Sequence, residues 1–186
     1  MFDAQCDLAA VVYGEHDDPD AVLRGFAADL NARGVRAVGM VQAGACADSS
    51  LSAVLVHSGE TLLLARDFDP DAKGCSLDIG RLQNAGARVA HAIDAGADLV
   101  IINRFGKREQ NGKGLAHLID KSLDADIPVV IAVSSLRFED WIKFVGGMTV
   151  KLSCNRDALD AWWQNVSSRQ ARSADGNSAT FCEIAK

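Results

Sequence analysis

Apolar residues occur along this chain in two kinds of block: short runs without a period, and longer stretches with a helical one. The run CDLAAVVY (6–13) is apolar at every position after Asp7, which predicts a buried strand. GEHDDP breaks it. Val22, Leu23, Phe26 and Leu30 then fall on one face of a helix with Asp20 near its start and Gly34 at its end. VRAVGMVQ (35–42) predicts the next strand, making residues 6–42 a βαβ unit whose two strands should pair in parallel through a right-handed crossover. LSAVLVHSGETLLLAR (51–66) differs, because two apolar runs flank HSGE in the manner of a hairpin. DFDPDAKG reads as a polar turn region.

The second half alternates more regularly. Leu82, Val89 and Ile93 make a helical stripe from about Asp78, ended by AGAD before the strand LVII (99–102). A helix over Lys113–Leu123 would turn Leu115, Leu118, Ile119 and Leu123 inward. IPVVIAVS (127–134) predicts a buried strand, RFEDWIKFVG a short helix and MTVKLS (148–153) a late strand. NRDALDAWWQNV predicts a last helix, with Asn155 or Asp157 near its start. From Ser167 the period is lost, so 1–166 read as one domain and 167–186 as a flexible tail. Strands alternating with helices predict a three-layer α/β fold with a mainly parallel sheet. Trp141, Trp162 and Trp163 lie in helical stretches, which favours packing over base stacking.

Composition narrows the function classes. The chain has 186 residues, 48% of them hydrophobic and 24% charged, enough for one domain with a proper core. A net charge of -6 argues against a general nucleic-acid binder. No apolar run approaches the roughly 20 residues that span a bilayer, and the opening MFDAQCDLAA lacks the pattern of a secretory leader. A cytoplasmic location is the expectation. The five cysteines (Cys6, Cys46, Cys75, Cys154, Cys182) form no C-x-x-C pair, so free thiols in a reducing compartment are expected. The four histidines share no metal-ligand spacing with them, and no zinc site is expected.

Ligands in parallel sheets gather at the carboxyl ends of the strands. Three connections therefore matter: Gly14–Asp20, Asn103–Gly114 and the loop after IAV. The first carries four acids (Glu15, Asp17, Asp18, Asp20), one glycine and no lysine, a composition that repels phosphate. A phosphate loop needs glycines for close approach and a lysine for the terminal phosphates. The second carries Arg104, Lys107, Arg108 and Lys113 against the single Glu109, a local +3. Positive charge at the end of a buried strand is unusual for an acidic protein.

The frame LVIINRFGKRE, with LSCNRDAL before the last helix, resembles the thermophile-type nucleoside-triphosphatase family of P-loop proteins. That family ends the strand in an acidic pair where this chain has Asn103 and Arg104, while Gly106 is kept. The resemblance implies a P-loop-NTPase-like fold with a degenerate phosphate loop and a β-hairpin insertion. Asn103 supplies no negative oxygen for magnesium, and Arg104 stays protonated and cannot act as a base. With the lysine also missing, three parts of phosphoryl transfer are absent together, and no catalytic residue is assigned. GCSLD, GADLVIINRFGKREQNGKGL and IPVVIAV also resemble an uncharacterised bacterial family whose genes often lie beside molybdate-transport genes, over most of residues 7–165. This second resemblance implies a setting in molybdate or molybdenum-cofactor handling.

Two readings of the basic loop follow. Either Arg104 or Lys107 pairs with Asp17, Asp18 or Asp20 across the sheet end, or the loop binds an anion. In the second case Asn103, Arg104, Gly106, Lys107, Arg108 and Lys113 would hold molybdate, tungstate or a nucleotide near a helix start. Cys75, Asp78, Asp17 and Asp18 are accessory candidates. Cys75 precedes a helix start that favours a thiolate, and Asp78 is equally suited to cap that helix. Two alternatives belong to other classes. A divergent magnesium-dependent nucleoside triphosphatase would use Asp17, Asp18 or Asp78 for the metal. An interaction module for a molybdoenzyme or transporter would present the tryptophan-bearing helix, and self-association is a further expectation.

Overall fold

The computed structural model describes residues 6–43, 51–65 and 77–177, with side chains to Arg169. Its elements run β1 (Leu8–Tyr13), α1 (Pro19–Ala32), β2 (Ala37–Ala43), β3 (Ser52–Leu55), β4 (Thr61–Leu63), α2 (Ile79–Asp94), β5 (Leu99–Arg104), α3 (Lys107–Gln110), α4 (Ala116–Asp124), β6 (Val129–Ser134), α5 (Phe138–Phe144), β7 (Val150–Ser153) and α6 (Arg156–Asn177). A 3-10 turn at Ser135–Arg137 joins β6 to α5.

Alternation along the strands splits the core into two layers. Leu8, Ala10, Val38, Met40, Val100, Ile102, Val129 and Ile131 face α2, α4 and α5. Ala9, Val11, Ala37, Val41, Leu99, Ile101, Val130 and Ala132 face α1 and α6. The middle strands are therefore apolar on every residue, as strands buried on both faces must be. The sheet order is β4-β3-β2-β5-β6-β1-β7. β2, β5, β6, β1 and β7 are parallel, and the β3–β4 hairpin extends the β2 edge in antiparallel fashion. The hairpin expected at HSGE is present, while the DFDPDAKG turn and Cys75 lie outside the described residues.

Four expectations are corrected. β1 and β2 are parallel but not neighbours, because β5 and β6 lie between them. The apolar sides of β2 are completed instead by β5 and β3, which the local βαβ pattern cannot reveal. The helix expected from Lys113 starts at Ala116, after a separate single turn at α3. Gly112 (φ 66°) and Gly114 (φ 63°) take left-handed conformations that break it. Leu123 is partly exposed at the end of α4 rather than inward. Finally, residues 167–177 continue α6 where a loose tail was expected. Ser167 and Ser168 donate to the carbonyls of Trp163 and Gln164, and Arg169 pairs with Asp7 at 2.8 Å. Polar bonding there replaces the apolar stripe that marks a helix in sequence.

The tryptophans are core residues. Trp141 is fully buried, stands edge-on to Phe105 at 5.1 Å, and donates from Nε1 to Thr149 Oγ1 at 3.2 Å. Thr149 Oγ1 donates in turn to the Leu8 carbonyl at 3.1 Å, so α5 is tied to the start of β1. Trp162 and Trp163 are buried against the α1 face of the sheet, which removes them as a contact surface. Among the described residues no helix is long and apolar enough to cross a membrane.

β2 leaves β5 at Gly39, which opposes Ile101 with φ 141°. A Cβ there would lie 1.9 Å from the Ile101 carbonyl oxygen, so only glycine lets the two backbones close. Gly39→Ala is expected to cost about 3 kcal/mol or more, read as a lower urea midpoint. An unchanged midpoint would contradict this close approach.

Candidate functional site at the carboxyl edge of the sheet

The carboxyl edge is shaped by one irregularity in β5. Ile102 pairs with Ile131, but the next residue of β6, Ala132, pairs with Arg104, so Asn103 is an extra residue in the ladder. Such a bulge moves every following side chain to the opposite face. Simple alternation would put Arg104 on the α2–α4 face and Phe105 on the α1 face. Instead Phe105 is buried beside Trp141, and Arg104 turns toward α1. Asn103 Oδ1 accepts from the Gln42 amide at 2.9 Å and so joins β5 to β2 beyond the end of their backbone ladder.

Arg104 reaches across β6, where its partner Ala132 is small, to the end of β1. Its Nε and Nη2 donate to Asp20 Oδ1 and Oδ2 at 3.2 and 2.5 Å, a bidentate fork. The guanidinium also lies 5.2 Å from the centre of the Tyr13 ring. Burial works against the charged guanidinium, yet the bonds and charge of Asp20 outweigh it and hold Arg104 above its ordinary pKa. This ion pair spans the crevice between β1 and β6. The helices that follow those two strands lie on opposite faces, which is where a ligand enters such sheets.

The β1–α1 connection is satisfied from within. The Gly14 amide donates to Asp17 Oδ2 at 2.7 Å, and Asp18 Oδ1 caps α1 by accepting from Ala21 at 3.0 Å. Pro19 follows at the first helical position, which needs no N–H. Amides that a phosphate loop would aim at a ligand are thus engaged by the chain's own carboxylates. Asp78 likewise caps α2, accepting from Arg81 at 2.9 Å. Among the described residues no three His, Cys, Asp or Glu side chains come together in a way that could hold a metal ion.

The β5–α4 connection follows the same logic around Glu109, which is only 6% exposed. Its Oε2 accepts from the Gly106 amide at 3.0 Å and its Oε1 from the Leu115 amide at 3.2 Å. The carboxylate therefore fills the place an anion would take at the start of α4. Gly114 must be glycine here, since a Cβ would stand 2.1 Å from Glu109 Oε1.

The six residues expected to hold an anion separate into two sets. Asn103, Arg104 and Gly106 have partners within the chain. Lys107, Arg108 and Lys113 have no ion pair among the described residues. Arg108 and Lys113 line a cavity of about 580 Å³ with Gln83 and His117, beside α2. Sequence reasoning did not single out Gln83 or His117. Ile79, Gln83 and Ala87 form an i, i+4, i+8 row on α2, a signal that becomes useful only once α4 is known to face it.

Cys154 was also overlooked. It follows β7, the neighbour of β1, and its thiol is pushed up to about 11 from 9.0 by burial, then by Asp17, Asp18 and Asp20.

The sequence profile of one family, described as "Protein of unknown function (DUF2478)", matches residues 8–162. The chain belongs to this family. It is also 35% identical over 180 residues to the molybdenum import ATP-binding protein ModC 2 of Bradyrhizobium diazoefficiens. That match covers 95% of the chain but 20% of the relative, so the chain spans about one fifth of that protein's length. Among solved structures, THEP1 from the hyperthermophile Aquifex aeolicus superposes with a TM-score of 0.61 at 14% identity, over 87% of this chain and 97% of that one. The P-loop-NTPase-like fold expected from the sequence is the fold this family member has.

Two outcomes are expected. Glu109→Ala should lower stability by ~2–4 kcal/mol, because two amides in the connection lose their acceptor, and chemical denaturation would register it. Cys154 should carry about 100-fold less thiolate near pH 8 than an unperturbed cysteine, since its pKa is about 11 rather than 9.0. Its alkylation, followed peptide by peptide in a mass spectrometer, should be correspondingly slow and should quicken in Asp20→Asn. Fast alkylation of the wild-type residue would contradict the burial and charge described.

Proposed function

We propose that this chain is a non-hydrolysing P-loop-fold domain that binds a small oxyanion or a phosphate group and serves molybdenum import or molybdenum-cofactor supply. The observation that carries the binding part is the pair Arg108 and Lys113. They share one cavity, lack an ion pair among the described residues, and meet no carboxylate among its lining residues. Arg104 is left out of the site, because Asp20 already holds both of its teeth.

The molybdenum setting rests on the 35% identity to a molybdenum import ATP-binding protein. A domain with no glycine–lysine phosphate loop of its own is read as a partner to the ATP-hydrolysing part of such a system rather than as that part itself. In this reading the acidic β1–α1 connection keeps nucleotide phosphates out of the old crevice, and the basic cavity receives an anion elsewhere.

A dye-based thermal shift with molybdate, tungstate, sulfate and ATP tests the binding part. At 100 times its Kd a ligand adds ~2.7 kcal/mol, or about 5–10 °C for a domain of this size. Arg108→Glu should abolish the rise. Arg104→Glu should instead lower the melting temperature without any ligand. No rise with any of the four would overturn the proposal.

A further inference from the structure

The cavity beside α2 has a composition that a bare tetrahedral oxyanion does not use. Its volume is about 580 Å³, within the range of sites for small organic ligands. Arg108, Lys113, His117 and Gln83 supply the polar lining, and Ile79, Leu82 and Ala87 supply an apolar wall. Ile79 is 39% exposed on that wall, so part of its side chain is open to a ligand's apolar body.

Two features show that the cavity is built rather than left over. Arg108 lines it with a side chain whose Nε is buried and has no hydrogen-bond partner, which leaves its remaining N–H donors as the ones a ligand can reach. Gly86 faces the start of α4, where a Cβ would meet Leu115 at 3.0 Å and His117 at 3.6 Å. A glycine here lets α4 close onto α2 and bring His117 to the rim. On the far side Gly114 and the buried Glu109 hold the backbone between Arg108 and Lys113 in place.

We infer that the cavity between α2 and the β5–α4 connection is a binding site for an organic phosphate monoester with an apolar body. The inference rests on the anion-binding reading above and specifies its ligand. A monoester dianion matches two cations, and its three terminal oxygens can take the Arg108, Lys113 and Gln83 donors. The body of the ligand covers Ile79, Leu82 and Ala87. A triphosphate carries more charge than two cations offset, and a bare oxyanion leaves the wall in water.

Isothermal titration of the full chain with phenyl phosphate, inorganic phosphate and ATP tests this. Phenyl phosphate should bind at least tenfold more tightly than either of the others. Lys113→Gln, at an exposed position, and Arg108→Gln should each weaken it at least tenfold. Ala87→Phe should weaken phenyl phosphate and leave inorganic phosphate unchanged. Equal affinities for phenyl and inorganic phosphate, tighter binding of ATP, or a preference that survives both charge variants would overturn this inference. In each of those cases the broader anion-binding reading stands or falls separately on the response to Arg108→Glu. Absence of binding by every anion would overturn both.

Discussion

A single extra residue in β5 governs the carboxyl edge of this sheet. Because Asn103 is bulged out of the ladder, Arg104 is delivered to the α1 face and Phe105 to the face of Trp141. Without that shift the guanidinium would point into the apolar layer under α4, where burying a charge is costly without a partner. Phenylalanine would meanwhile lie above the acidic connection. The bulge resolves both at once, and the Asn103 side chain adds a bond from the Gln42 amide of β2 beyond the end of the β2–β5 ladder. The Arg104–Asp20 ion pair and the place of Phe105 in the aromatic cluster both follow from one register step.

A second theme is the use of internal carboxylates where a relative of this fold would aim its amides at phosphate. Asp17, Asp18 and Glu109 each accept from backbone N–H groups in or beside the β1–α1 and β5–α4 connections, and Asp20 pairs with Arg104 between them. Tethered acceptors have a high effective concentration and need no ligand to be present. Arg108 and Lys113, which like Lys107 have no ion pair among the described residues, stand instead beside α2 on the other side of the sheet. The Cys154 thiol is pushed up first by burial and then by the same concentration of negative charge.

Much of the architecture could be read from residue patterns because strands buried on both faces are continuously apolar, and helices packed on one face carry a stripe. LAAVVY, LVII and VVIAVS, and the stripes of α1 and α2, were legible for that reason. One of the two readings drawn from the charge counts had the acidic and basic connections pair across the sheet end, and one pair named for it, Arg104 with Asp20, is formed. What could not be read depends on register and distance. A bulge has no signature in INRFG, so the face of Arg104 was undetermined. α6 extends past Trp163 through serine back-bonds and an Arg169–Asp7 pair, neither of which leaves an apolar period. The cavity is assembled from α2 and the β5–α4 connection, whose residues are about 25 positions apart in sequence and become neighbours only through helix packing.

The strand order has a consequence for how the molecule is made. β1 is synthesised well before its two partners, β6 and β7, which come more than 100 residues later. Throughout synthesis of the intervening chain LAAVVY stays an unpaired apolar strand, with α1 the nearest element able to shield one of its faces. Contacts of such long sequence separation form slowly, and unpaired strand edges invite association with other chains meanwhile. The acids that follow β1 immediately, from Glu15 to Asp20, stand where charged residues flanking an apolar strand oppose such association.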